Sequence, residues 1–352
     1  MSNVRKFSSS SSSSSSSNRR FVSTVTILFF FVAAHHQIPV HSKVINVISR
    51  GVVAESRSTS DVTGNVLIIN QILRESQPGD SVLFPSNTTI YATGGINATG
   101  LYNVTLDLQG KLMAHDDLNV WPSDGRNCLH FISFYNSAHL RMTASSDGII
   151  DGQGKKWWNT YILNPKNRPK RPKLVYFHNS TDLLIENLKL LNSPSFHLLL
   201  QDVARVEIRF IDIRVDRAAS GIIPSKPGSL EFEDLNTDGI DPMGRDIWIH
   251  DCTIVNDDDS IAVKPCRMDG GSCFQSNCSE NMLIENMVMT GIGASIGSVP
   301  PHIGRNCVRN ITFRNISMPK TGKGIYIKSN PECGVGKTVS KKQFALRYGL
   351  TQ

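Results

Sequence analysis

Two short carboxylate-rich segments hold the residues best suited to chemistry. Asp238 lies in the Asn-Thr-Asp-Gly segment that begins at Asn236, and Asp258 and Asp259 follow about twenty residues later. Crowded carboxylates repel one another, so one keeps its proton at neutral pH while another stays ionised. Acid/base hydrolysis requires such a pair. The same residues could instead cap strands or bind a structural cation, and spacing alone leaves both interpretations open.

The elements that would position these carboxylates are short strands with a recurring pattern. Five segments share alternating apolar residues followed by a polar turn, and their equivalent positions are separated by 23, 41, 35 and 29 residues: Ile185, Ile208, Ile249, Ile284 and Phe313. A repeat near 23 residues with insertions is typical of stacked coils, each too small to bury its own apolar face. The sequence therefore predicts an all-β fold, a right-handed parallel β-helix.

Turn chemistry separates this fold from the main alternative. An antiparallel β-sandwich would place two-residue Asn-Gly or Asp-Gly turns at hairpin spacing, and most turns here are not placed that way. Asn or Asp instead follows several strands, where it tolerates a left-handed backbone and can bond to the next coil. Residues 43–335 form the predicted β-helix. Helical spacing between Val62 and Glu75 predicts an N-terminal helical cap, and hardly any helix signal follows.

The ends of the chain differ from its middle. Residues 1–42 contain four cations, no acids, the serine run Ser8–Ser17 and an apolar stretch from Phe21 to Ala34, which is the order of a secretory signal. Residues 336–352 form a basic tail without strand patterning. Outside these two segments 29 cations face 30 acids, so the overall charge of +7 does not indicate a nucleic-acid partner.

Cysteines and glycosylation acceptors support an oxidising compartment. Asn-x-Ser/Thr acceptors occur at seven positions: Asn87, Asn97, Asn103, Asn179, Asn277, Asn310 and Asn315. Seven cysteines follow the apolar stretch, and Cys266, Cys273 and Cys278 cluster in a Gly/Ser-rich segment. We expect a local disulfide there rather than a zinc site, because no Cys-x-x-Cys pairing with His is present.

Four motifs, in order, resemble those of glycoside hydrolase family 28, the polygalacturonase-type pectin hydrolases, and an earlier coil at Asp147–Gly154 is similar to theirs as well. The four motifs are Asn236–Gly239, Asn256–Ser260, Gly291–Ser298 and Gly324–Lys328. Asp257 and Ser260 stand where the family motif has Gly and Cys. The resemblance covers about Val44 to Gly334 and implies a β-helix glycosidase with an inverting acid/base mechanism.

The resemblance also implies roles for individual residues. It implies that Asp258 is the general acid and that Asp238 and Asp259 hold or deprotonate the attacking water. The residues expected to bind substrate are Asn236, Tyr326 and Lys328. Asn236 and Asp238 are expected to alternate onto one face of a strand. Asp258 and Asp259 can share the cleft only where the backbone bends, and Asp257 is expected to be a turn residue.

Two departures fall on working positions. The family histidine is replaced by Ile292, which cannot carry a proton, and the family arginine by Tyr326, so that only the point charge of Lys328 remains to hold a substrate carboxylate. The subsite is thus reshaped for a less acidic sugar, or the protein is a weak or inactive polysaccharide-binding relative. His250 and His302 are candidate replacements for the imidazole, and we expect both to be structural.

Taken together, the residues and the resemblance predict a secreted, monomeric glycosidase that acts on pectic polysaccharide of the cell wall and uses no cofactor or metal. It would have no nucleic-acid partner and no stable membrane association after signal removal. A pectate lyase is disfavoured, because it would need a calcium cage and an arginine base. The family continues with further coils after Lys328, so the sequence also predicts a β-helix that is incomplete at its C-terminal end.

Overall fold

The computed structural model describes residues 42–145, 148–164, 166, 170–216, 235–267, 278–299 and 306–329, all within the compact unit Val40–Gln352. Residues 1–41 of the predicted signal segment, the basic tail, Cys273 and His302 lie outside these residues.

Short strands make up almost all of the regular structure. In chain order they are β1 (Val44–Asn46), β2 (Ser81–Phe84), β3 (Thr89–Ala92), β4 (Ile96–Thr99), β5 (Thr105–Leu108), β6 (Lys111–Ala114), β7 (Ile132–Tyr135), β8 (Arg141–Thr143), β9 (Ile149–Asp151), β10 (Val175–Glu186), β11 (Lys189–Leu191), β12 (Leu198–Arg209), β13 (Asp212–Arg214), β14 (Ile240–His250), β15 (Thr253–Val255), β16 (Asp259–Val263), β17 (Cys266–Arg267), β18 (Ser279–Met289), β19 (Gly293–Val299), β20 (Asn306–Ser317) and β21 (Gly324–Ser329). The helices are α1 (Thr59–Glu75) and α2 (Lys155–Leu163), with single 3-10 turns at Ile48–Arg50 and Leu118–Val120.

Successive coils pair in parallel, as the repeat predicted. The five equivalent positions form one continuous ladder across β10, β12, β14, β18 and β20: Ile185 pairs with Ile208, Ile208 with Ile249, Ile249 with Ile284, and Ile284 with Phe313. Each of these side chains points into the solenoid, where stacked Ile, Leu, Val and Phe residues form one core. The predicted fold, a right-handed parallel β-helix, is confirmed.

Polar residues at the bends of the coils use the left-handed backbone that the sequence suggested. Asn187 and Asp251 lie between strands, Asn286 and Asn315 lie within β18 and β20, and all four have φ between 50° and 57°. The Asn315 side-chain amide donates a 2.8 Å hydrogen bond to the Asn286 side-chain oxygen of the neighbouring coil. Asn therefore stabilises both the sharp turn and the stacking of coils.

The two helices lie outside the repeating coils. Ser58 caps α1 by accepting a hydrogen bond from the Asp61 amide, and the buried face of α1 packs on β3 and β4, so this helix covers the N-terminal coils as predicted. The expectation of hardly any later helix was wrong for α2. Its two adjacent tryptophans, Trp157 and Trp158, are buried and anchor a single helical insertion beside the solenoid.

One disulfide joins consecutive coils. Cys278 is bonded to Cys307, 29 residues away, and so takes no part in a disulfide within its own cysteine cluster. The antiparallel contact between β17 and β20 brings the chain back across this region. Among the described residues, no helix has both the length and the apolar character needed to cross a membrane.

Candidate active site

Consecutive coils bring the carboxylates together. The segment before β14 stacks on the start of β16, since the Gly239 amide donates to the Asp259 carbonyl. β16 then pairs with β19, and β19 pairs with β21. Asp238 therefore comes from one coil, Asp258 and Asp259 from the next, and further side chains from the two coils that follow. Neighbouring strands lie about 4.8 Å apart, so such side chains are held close by the fold itself.

The three predicted aspartates form one buried cluster. Carboxylate oxygens of Asp238, Asp258 and Asp259 lie within 4.8 Å of one another, and each residue is at most 3% exposed. The backbone bends at Asp257 and Asp258 before β16 begins, which lets Asp258 and Asp259 reach the same space. The Asp257 amide donates to the Thr237 hydroxyl, which fixes that bend.

Asn236 departs from the strand geometry that the sequence suggested. Strand β14 begins only at Ile240, and Asn236 has a left-handed backbone with φ of 47°. The side chains of Asn236 and Asp238 therefore do not alternate along a strand. The expectation was wrong because residues 236–239 are an irregular turn. Asn236 instead contacts Ser195, at 3.4 Å, and lines the adjoining cleft.

Asp259 accepts hydrogen bonds on both oxygens. The Tyr326 hydroxyl donates to one oxygen, and the Ser295 hydroxyl donates to the other at 2.8 Å. The Lys328 ammonium lies 3.8 Å from that second oxygen. Tyr326 and Lys328, both expected to bind substrate, thus contact a carboxylate of the cluster, and the donors come from β19 and β21.

Asp238 shares a lysine with a fourth buried carboxylate. The Lys264 ammonium lies 3.6 Å from an Asp238 oxygen and 3.3 Å from an Asp241 oxygen. The other oxygen of Asp238 is buried and has no hydrogen-bond partner within the described part of the chain.

The proton affinity of the cluster is high because burial penalises the charged forms. Burial, followed by repulsion from Asp238, raises the pKa of Asp258 to about 8. Burial also raises the pKa of Asp238, against the opposing effect of Lys264, and raises the pKa of Asp241 further. Four carboxylates face two ammonium groups, so the cluster retains protons at neutral pH.

A metal ion would be poorly placed in this cluster. Three carboxylates within 4.8 Å are a suitable ligand set for a hard divalent cation. However, the Lys264 and Lys328 ammoniums already lie 3.6 Å and 3.8 Å from oxygens of Asp238 and Asp259. Their positive charges would repel a cation at the same oxygens. The donor set therefore favours proton transfer over metal binding.

A buried histidine supports the Asp238 turn. His197 is fully buried, and burial lowers its pKa to about 4, so its ring is neutral. One ring nitrogen accepts from the Ser193 amide at 3.2 Å, so the other donates to the Asp238 backbone oxygen at 3.0 Å. His250 lies at the far end of β14, between Asp251 and Glu207, and does not replace the family histidine. Ile292 contributes its amide, which donates to the Asp258 carbonyl.

Four residues of the site had not been predicted as site residues. Asp241 and Lys264 follow the aspartates closely in sequence, and Ser295 lies inside a quoted motif, but nothing in their spacing distinguished them. His197 carries no local signal at all. Charge balance is the argument that could have found Lys264, because buried carboxylates require neighbouring cations.

A cleft of about 730 Å³ adjoins the cluster on the side of the N-terminal coils. Ser195 and Asn236 line it next to the Asp238 turn, and basic side chains line much of the remainder: His130, Lys170, Arg171 and Lys173. A cleft of this size lies within the usual range for ligand-binding sites.

Comparison with known proteins identifies one family. The family model for glycosyl hydrolases family 28 matches residues 80–345. Endo-xylogalacturonan hydrolase A of Aspergillus tubingensis is 25% identical over 292 residues, covering 82% of this chain and 65% of the relative. The exopolygalacturonase of Cochliobolus carbonum is 27% identical over 276 residues, covering 77% and 56%.

Solved structures give the same fold. The polygalacturonase of Erwinia carotovora ssp. carotovora superposes with a TM-score of 0.61 at 25% identity, covering 82% of this chain and 72% of that chain. The chain spans less than two thirds of the length of the two relatives above. With the family model matching most of its length, the chain belongs to glycosyl hydrolases family 28, a family of glycosidases.

Proposed function

We propose that this chain hydrolyses glycosidic bonds in a galacturonate-containing pectic polysaccharide. Family membership and the names of its relatives support this substrate class. The observation that carries the proposal is the buried cluster in which Asp258, with a pKa of about 8, lies beside Asp238 and Asp259. A carboxyl group protonated at neutral pH can donate to a leaving oxygen.

In the proposed mechanism, Asp258 protonates the leaving group and the other two aspartates hold the attacking water. Two oxygens up to 4.8 Å apart can both accept from one water, at ordinary hydrogen-bond lengths of about 2.8 Å. The unpartnered oxygen of Asp238 is one such acceptor. As the water attacks, its proton passes to the cluster, while the proton of Asp258 goes to the departing sugar.

We assign an inverting, single-displacement course. Inverting glycosidases typically separate their carboxyl groups by about 6.5–9.5 Å, and this cluster is tighter. Asp259 is instead the residue that favours the inverting course. Both of its oxygens accept bonds from Tyr326 and Ser295, which makes it a poor covalent nucleophile and a well-fixed acceptor for water.

Substrate binding extends the same proposal. Lys328 remains the point charge for a substrate carboxylate near the cluster, and Asn236 contacts the chain where it enters the cleft. We further propose that the protein is secreted and acts as a monomer on cell-wall polysaccharide. The leader composition and the glycosylation acceptors support secretion.

The direct test is product analysis with the full chain and polygalacturonate or xylogalacturonan. We expect new reducing ends without unsaturated products, and NMR of the first product should show the inverted anomer. Asp258→Asn should lower the rate by about 10²–10⁴-fold, whereas Asp246→Asn, outside the cluster, should leave it unchanged. Unsaturated products would indicate a lyase instead. Binding without either product would support the non-catalytic alternative.

A further inference from the structure

Lys173 lines the cleft and, among the described residues, forms no ion pair with a carboxylate. Its ammonium lies 3.4 Å from the Ser195 hydroxyl and 4.5 Å from the centre of the Phe196 ring. Within the described residues, no carboxylate oxygen lies within 4.0 Å of it. The other lysines near the cluster differ, since Lys264 and Lys328 each lie 3.3–3.8 Å from aspartate oxygens.

The remaining charged groups of the cleft do not complement Lys173. Arg171 donates to the backbone oxygens of Pro194 and Leu235 and stacks on the Tyr161 ring. Its guanidinium is therefore held by contacts within the protein. Asp124 is the one carboxylate among the described lining residues, and it accepts the amides of its own turn at 2.7–2.8 Å.

The position of Lys173 connects the cleft to the site of bond cleavage. Ser195, which contacts the ammonium, also bonds to Asn236 at 3.4 Å, two residues before Asp238. The Lys173 backbone lies two coils before Asp238, and its ammonium reaches the level of Ser195, one coil before Asp238. Lys328 lies on the opposite side, beside Asp259. The cluster therefore has a cation on each side, and among the described residues Lys173 is the one of these two with no carboxylate oxygen within 4.0 Å.

We propose that Lys173 binds the carboxylate of a uronic acid residue on the N-terminal side of the cleaved bond, and thereby selects an acidic sugar there. The inference rests on the proposed function for its substrate. A half-buried ammonium lacks part of its hydration, so a charge-assisted bond from a sugar carboxylate compensates for that loss. Burial lowers the pKa of Lys173 in spite of the opposing charges of Asp238 and Asp241, neither of which lies within 4.0 Å of its ammonium.

The experiment measures binding and does not depend on turnover. In an Asp258→Asn background, the affinity for trigalacturonate is compared with and without Lys173→Met. Loss of a hydrogen bond to a charged group corresponds to about ten- to a hundredfold weaker binding, which is the result we expect. The neutral trisaccharide made by reducing the carboxyl groups should bind the two proteins equally. Lys173→Arg should keep the preference for the acidic trisaccharide.

A control variant separates a specific contact from a general loss of positive charge. Lys111→Met removes an exposed charge from β6, outside the cleft. It should change the affinity for trigalacturonate by less than about threefold. If Lys173→Met binds trigalacturonate as before, or weakens the acidic and neutral ligands alike, the proposal is wrong. Lys173→Gln provides the same comparison if the methionine variant does not fold. Absence of hydrolysis by the wild type would overturn the proposed function and leave this binding result standing.

Discussion

Replacing Asp238 by asparagine should move the alkaline limit of activity. The proposed acid, Asp258, must be protonated to work, so activity is lost as the pH rises through its pKa of about 8. After burial, repulsion from Asp238 is the next largest cause of this raised pKa. Removing the charge at Asp238 lowers the pKa of Asp258, and the loss of activity then occurs at lower pH.

The size of the shift follows from the distance. Two unit charges 4.8 Å apart interact by about 3.5 kcal/mol at an effective dielectric constant of about 20. One pKa unit corresponds to about 1.4 kcal/mol. The alkaline limb should therefore move down by about two to three pH units, and by less to the extent that Asp238 is itself protonated.

The assay is kcat/KM for an oligogalacturonate as a function of pH. Asp238→Asn will be slow, because Asp238 also holds the water, but the position of the limb can be read from the residual rate. Asp241→Asn is the matched control, since it removes a buried carboxylate beside Lys264 that is not among the main causes acting on Asp258. An alkaline limb in Asp238→Asn that coincides with the wild-type limb would refute the assignment of Asp258 as the acid.

Three further variants test other parts of the structure. Tyr326→Phe removes a donor to Asp259 and should lower kcat by about ten- to a hundredfold with little change in KM; an unchanged kcat would contradict this role. The melting temperature of Asp258→Asn should rise relative to that of wild type as the pH increases from 4 to 8. Between the ordinary pKa of 3.8 and about 8, the native wild type keeps the Asp258 proton while the unfolded chain loses it, so wild type loses stability over this range. A difference in melting temperature between the two proteins that is the same at pH 4 and at pH 8 would contradict this. Cys278→Ser should lower the free energy of unfolding by about 3–4 kcal/mol, measured by denaturant titration, because the disulfide to Cys307 closes a loop of 29 residues; an unchanged free energy of unfolding would contradict it.

The fold was predictable because the same pattern of apolar residues recurs in each coil. Each coil must present apolar residues at the same place to a common core, so five sequence positions predicted the ladder from Ile185 to Phe313. A single insertion carries no such redundancy, and α2 was missed for that reason. Its tryptophans are buried against neighbouring coils, a tertiary effect that local helix propensity does not contain.

The site was only partly predictable. Sequence motifs identified Asp238, Asp258 and Asp259, which the structure places together. They did not identify Lys264, whose role depends on the short distances to Asp238 and Asp241. Such pairings form between side chains at irregular positions beside the strands. The left-handed turn at Asn236 likewise interrupts the alternation on which the sequence argument relied.

Tyr326 and Ile292 together explain how this cluster could work without the family's arginine and histidine. A guanidinium at position 326 would place a further positive charge beside Asp259, and positive charge lowers the pKa of nearby carboxyl groups. Tyr326 supplies a hydrogen bond to Asp259 without a positive charge, and the buried side chain of Ile292 carries no charge either. Both substitutions therefore leave the carboxylates with only two ammonium groups to balance them. Asp258 then retains its proton up to a pKa of about 8, so the proton-carrying function can remain within the aspartates themselves.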